Sequence, residues 1–199
     1  MYRLIIDSST KVMYVGLTLD LDLIDKKIRI AKRDHAKYLV DEIDQLLKRN
    51  DLKIANISEI IVGNGPGSYT GLRVAGMVAK MLAYTKNIIL KEVASPFFLT
   101  SGYQEKVTGL IDARRNQFFM GTYDNLTTVI PEQIGQLDDF YSDKDFLESR
   151  KVLLDEKNYL VDAKKIILKS TIVDDVHSYI PNYIRKTEAE RNYDQKSEI

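Results

Sequence analysis

The chain has 199 residues, enough for one large domain or two small ones with real cores. Its 29 basic and 29 acidic side chains cancel, which argues against an independent grip on nucleic acid; the lack of cysteine excludes disulfides and thiolate metal sites and fits a reducing cytoplasm. No apolar run approaches the roughly 20 residues that span a bilayer, and the start lacks a signal-peptide pattern, so a soluble cytoplasmic protein without membrane contact is expected.

Residues 2–6 are an apolar, strand-like run ending in the polar turn Asp7, Ser8, Ser9, Thr10, Lys11. Residues 12–19 and 23–31 read as two further strands. From His35 to Asn50 the period becomes helical, with Leu39, Ile43, Leu46 and Leu47 on one face. A short strand at 58–62 leads into a glycine-rich loop and a second helix, then come a strand at 87–93 and a helix opened by Ser95-Pro96. Beyond these, residues 127–130 read as a sheet edge, 137–141 as a short helix and 151–155 as a strand. Residues 163–173 fit helix or strand equally, and the polar tail from Arg185 fits a solvated helix or a frayed end. His35 and His177 lack a second ligand at helical spacing, and no G-x-S-x-G elbow is present, so both histidines read as surface or cap residues.

The loop "VGNGPGSYTGLR", residues 62–73, carries four glycines but fits neither G-x-G-x-x-G nor G-x-x-x-x-G-K-[ST]. Gly65, Pro66 and Gly67 demand a tight turn, and Ser68 or Thr70 is placed to cap the next helix. Its N–H groups, with Arg73 in the first turn, could hold an anion. A helix end contributes about 0.3–1 kcal/mol, up to ~2 when partly buried. Micromolar nucleotide binding needs about 8 kcal/mol. Alone, the loop is not a nucleotide site; any phosphate contact would also draw on Asp7, Ser8, Ser9 and Thr10 beside Gly65, Gly67, Ser68 and Thr70. On the helix behind it, Arg73, Lys80 and Tyr84 form a polar edge, Val74, Ala75, Val78 and Leu82 an apolar centre expected to face the sheet, and Leu72, Gly76, Ala79 and Ala83 a smooth flank. Small side chains let another helix come close, either the helix at 35–50 or one from another chain.

The second half begins as the first does. "LIIDSSTKVMYVG" aligns with "GLIDARRNQFFMG", and Asp7 and Asp112 each precede a glycine, Gly16 and Gly121, by nine residues. The order resembles the actin-like ATPase (ASKHA, ribonuclease H-like) α/β plan: two duplicated β-β-β-α-β-α-type domains, here 1–100 and a reduced 101–199, whose hairpins clasp ATP phosphates.

"GNGPGSYTGLRVAGMVAKMLA" closely resembles the "GPGSFTGLRxGxxxAKGLA" signature of the TsaB (YeaZ) family, and "IDSST", "IDARRNQFF" and "PNYIRKTEAE" match further family segments in order. Residues 127–175 diverge. The resemblance implies a non-catalytic scaffold in tRNA threonylcarbamoyladenosine formation. It would pair through its N-terminal helices with a TsaD-like transferase, be joined by a TsaE-like ATPase, and meet tRNA only through the complex. It favours Leu72, Gly76, Ala79, Ala83 and Arg73 as partner interface. It also implies no metal and no tightly bound cofactor in the isolated chain, with ATP or ADP only at the complex interface; alone, the chain has a homodimer open to it. The last glycine is Gly135, so the adenosine loop of superfamily ATPases has no counterpart. Arg114 and Arg115 stand where those enzymes carry small residues, and with Asp112 they are expected at the domain cleft; both aspartates are expected to stabilise turns. The alternative is a small actin-fold kinase or ATPase with its own nucleotide site at Asp7.

Overall fold

Residues 1–30 and 34–184 are described in a computed structural model of the chain. The first sheet starts with a meander, β1 (Tyr2–Asp7), β2 (Val12–Leu19) and β3 (Asp22–Ile30). Helix α1 (His35–Arg49) leads to β4 (Ile57–Gly63), and α2 (Tyr69–Lys86) to β5 (Ile89–Val93). After α3 (Ser95–Thr100) the second sheet repeats the meander with β6 (Val107–Arg114), β7 (Gln117–Asp124) and β8 (Thr127–Gly135). Then follow α4 (Lys144–Glu148), β9 (Arg150–Leu153), α5 (Ala163–Lys169) and β10 (Thr171–Ile172). The sheets run β10-β5-β4-β1-β2-β3 and β8-β7-β6-β9. In both, a parallel strand lies beside the first strand of the meander, β4 against β1 and β9 against β6. This repeated order is the duplicated actin-like plan.

Side-chain alternation divides β1 between two cores. Leu4 and Ile6 join Leu39, Ile43 and Leu46 of α1 and Ala75, Ala79 and Ala83 of α2 on one face. Ile5 joins Phe97 and Phe98 of α3, Ile166 of α5, and Ile111 and Phe119 of the second sheet on the other. Such burial on both faces is why β1 reads as an unbroken apolar run. A smaller core of Leu110, Met120, Ile130 and Phe146 lies under α4. No helix among the described residues is long and apolar enough to cross a membrane.

Four expectations change. Residues 163–173 are both helix and strand: α5, then β10, which pairs antiparallel with β5. The boundary at 100 therefore divides the sheets only as far as β9, because the chain returns to the first sheet and then crosses α2. The flank Leu72, Gly76, Ala79 and Ala83, expected to be open to a partner, is buried by this chain. Small residues there bring α2 close to its own sheet and make room for residues 173–184; a Cβ on Gly76 would lie 3.1 Å from both Tyr179 Cε1 and Pro181 Cγ. Val74, Val78 and Leu82, expected to face the sheet squarely, are only half buried. The tail from Arg185 lies outside the described residues.

Gly76→Leu is accordingly expected to overpack against Tyr179 and Pro181. It should cost about 1–3 kcal/mol and lower the thermal midpoint of the isolated protein by several degrees. A normal melt would show that residues 179–181 do not hold this position in solution.

Candidate functional site

The glycine loop is filled by the turn after β1. The Ser9 carbonyl accepts from Ser68 N–H at 2.7 Å, and the Ser8 hydroxyl donates to the Gly71 carbonyl at 2.8 Å. A Cβ on Gly67 would meet the Ser9 carbonyl oxygen at 2.6 Å, and one on Gly71 would run into the Ser8 carbonyl. Gly65 has φ +109°, and the Asn182 carbonyl occupies the place of its missing side chain. Asn182 N–H donates to Asn64 O at 2.7 Å, and Ser95 Oγ accepts from Gly65 N–H at 3.0 Å. Ser68 caps α2 by accepting from Gly71 N–H at 3.3 Å, while Thr70 is exposed. Of the expected phosphate set, Ser8, Ser9, Gly65, Gly67 and Ser68 thus contact this chain's own backbone. Thr10 accepts from Val12 N–H through Oγ1, and its carbonyl meets His35 Nε2 at 3.0 Å. His35, expected at the surface, is buried and ties α1 to the first turn; burial lowers its pKa.

Asp7 and Asp112 hold equivalent turns in different surroundings. Asp7 Oδ1 accepts from Ser9 N–H at 2.9 Å and Ser9 Oγ at 2.8 Å; Asp112 Oδ1 accepts from Arg114 N–H at 2.7 Å. Asp112 is exposed. Asp7 is fully buried, and its Oδ2 has no well-aligned hydrogen-bond partner. Desolvation raises its pKa to about 6, against the opposing pull of the Ser95 hydroxyl and the Ser9 bonds. At the second turn Arg114, Arg115 and Asn116 all have positive φ, 55–65°, and both arginine side chains are exposed.

The open part of this region is a different face of α2. Tyr69, Arg73, Met77, Met81 and Tyr84 recur every three or four residues and are exposed, Met77 and Tyr84 at 62%. Tyr69, Thr70, Arg73, Val74 and Met77 line a shallow depression of about 300 Å³. Arg73 lies over the Tyr69 ring, 5.6 Å from its centroid, so of the expected interface residues it alone is exposed. Met77 and Met81 were missed although their i, i+4 spacing with Arg73 marks a single face. Pro181 and Asn182 open the segment "PNYIRKTEAE", but nothing local ties them or Tyr179 to α2, which they reach from a hundred residues away.

The chain is similar to known proteins in sequence and in fold. The family model described as "TsaD: tRNA N6-adenosine threonylcarbamoyltransferase" matches residues 29–148, and the chain belongs to this family. Curated relatives of the chain carry the name TsaB. The tRNA threonylcarbamoyladenosine biosynthesis protein TsaB of Bacillus subtilis is 28% identical over 96% of both chains. The protein of the same name from Haemophilus influenzae is 31% identical over 45% of this chain and 40% of its own. In fold, the chain matches a Pseudomonas aeruginosa structure described as an uncharacterized protein with similarity to peptidase YEAZ. The TM-score is 0.74 at 22% identity, covering 92% of this chain and 99% of the other.

The burial of Asp7 carries a pH signature. Its folded pKa of about 6 lies above the unfolded 3.8, so its contribution is full below pH 3.8 and is lost as pH rises through 6. At ~1.4 kcal/mol per unit, about two units are worth about 3 kcal/mol. Asp7→Asn, which cannot ionise, should therefore gain up to about 3 kcal/mol on the parent between about pH 4 and pH 7 in denaturant titrations. A stability difference independent of pH would show that Asp7 is not buried in this way.

Proposed function

We propose that the protein is a non-catalytic scaffold subunit of the machinery that makes threonylcarbamoyladenosine in tRNA. It pairs with a TsaD-type transferase through the exposed face of α2, and the pair receives a TsaE-type ATPase. The observation that carries this reading is the stripe from Tyr69 to Tyr84, an apolar helix face left open beside a loop that its own chain has filled. Methionine suits such a face because its unbranched thioether adapts to the partner surface. The names of the curated relatives support the pathway, and the chain spans nearly the full length of the Bacillus protein. Zero net charge fits a subunit that shares the tRNA with its partners and works in the cytoplasm.

The reading extends to nucleotide. Carbonyl oxygens of Ser8, Ser9 and Asn182 press against the glycine positions where a phosphate would otherwise approach, and they repel anions. ATP or ADP would then bind at the complex interface and not in the isolated chain. The kinase alternative has one observation in its favour, the buried Oδ2 of Asp7, which lacks a well-aligned hydrogen-bond partner.

Two measurements separate these readings. Met77→Asp should abolish co-elution with the TsaD-type transferase while shifting stability by no more than about 0.5 kcal/mol, as expected for an exposed site; co-elution as for the parent would sink the docking face. Calorimetry of the isolated chain with ATP should show no micromolar binding. Low-micromolar affinity accompanied by turnover would establish the kinase instead.

A further inference from the structure

Residues 173–184 follow β10 and run back along the whole exposed length of α2. His177 packs edge-on to Tyr84 with ring centroids 4.4 Å apart, and its carbonyl accepts from Lys80 Nζ. Tyr179 and Pro181 cover Gly76 at mid-helix. Asn182 is tied to Asn64, and the Tyr183 ring lies 4.7 Å from that of Tyr69. At 1.5 Å per residue, the helix from Tyr69 to Tyr84 spans about 22 Å. The segment meets both ends of that span: a turn at residues 176–178 sets His177 on Tyr84, and the irregular chain that follows brings Tyr183 to Tyr69. Tyr179 is buried against α2, while Ile180 is 72% exposed.

The two ring contacts fall on Tyr69 and Tyr84, the end residues of the α2 stripe. A large side chain on an open helix face samples several rotamers, and fixing it on binding costs affinity. A side chain already held by a neighbouring ring avoids that cost. The middle of the stripe, Met77 and Met81, is 62% and 48% exposed, and its flexible thioethers adapt to a partner.

We infer that residues 177–183 are a positioning strap for the docking face: His177 and Tyr183 hold Tyr84 and Tyr69 in their binding orientations, and Ile180 adds apolar surface beside them. This rests on the proposal that a TsaD-type transferase docks on α2. The strap thereby links partner affinity to a segment far from the helix in sequence.

The experiment measures dissociation constants of the full-length chain for the TsaD-type transferase by surface immobilisation, with thermal melts of each variant. The pair His177→Ala and Tyr183→Ala should raise Kd about tenfold through the lost pre-ordering. His177→Phe with Tyr183→Phe, which keeps a ring at both places, should restore parent affinity. Ile180→Asp, at an exposed site that cannot disturb the core, should weaken binding with an unchanged melt. Parent-like affinity of the double alanine variant, or failure of the phenylalanine pair to restore binding, would overturn the strap. If Met77→Asp abolishes binding while the strap variants bind normally, the strap inference alone fails. If Met77→Asp also binds normally, the docking reading beneath it fails.

Discussion

The carbonyls of Ser8 and Ser9 lie where side chains would project from Gly71 and Gly67, and the placement of α2 follows from that contact. With no Cβ at Gly67, just ahead of the cap, or at Gly71 in the first turn, α2 can rest directly on the turn after β1. Ser68 N–H and the Ser8 hydroxyl then pin it with hydrogen bonds of 2.7 and 2.8 Å. Each contributes about 0.5–1.5 kcal/mol net, and burial makes the loss of either partner costlier. His35 extends the same clasp to α1 through the Thr10 carbonyl. One five-residue turn therefore positions both helices of the first sheet.

Close seating of α2 explains its small buried residues. Ala75, Ala79 and Ala83 shorten the distance to the sheet, and Gly76 leaves the hollow that Tyr179 and Pro181 fill. Once those sides are taken, only one stripe of the helix is left to solvent. The open stripe is thus what remains of α2 after its own sheet and residues 173–184 have covered the rest, a subtraction that only the assembled fold performs.

The duplication shows how one motif takes on different physics in two places. Asp7 and Asp112 both accept a hydrogen bond from the N–H two residues on, a local preference of aspartate in turns. The first turn is sealed under the glycine loop, so its carboxylate is desolvated and its pKa rises. The second stays at the surface, where three consecutive residues of positive φ carry two exposed arginines. Sequence repetition preserved the hydrogen bond; burial decided its electrostatics.

Periodicity made the strands of both meanders, the two long helices and the repeated half legible, because those patterns follow from side chains alternating or recurring within a short segment. The glycine loop was equally visible, and its mismatch with both phosphate fingerprints already argued against an autonomous nucleotide site. Residues 163–173 could not be resolved, since a seven-residue helix and a two-residue strand are too short for a period to emerge. The sequence by itself determined that α2 would be buried on more than one side, through its run of small and apolar residues. Only the tertiary structure decided which side stays open, because the strap that covers Gly76 lies a hundred residues away and a helical period carries no information about distant chain.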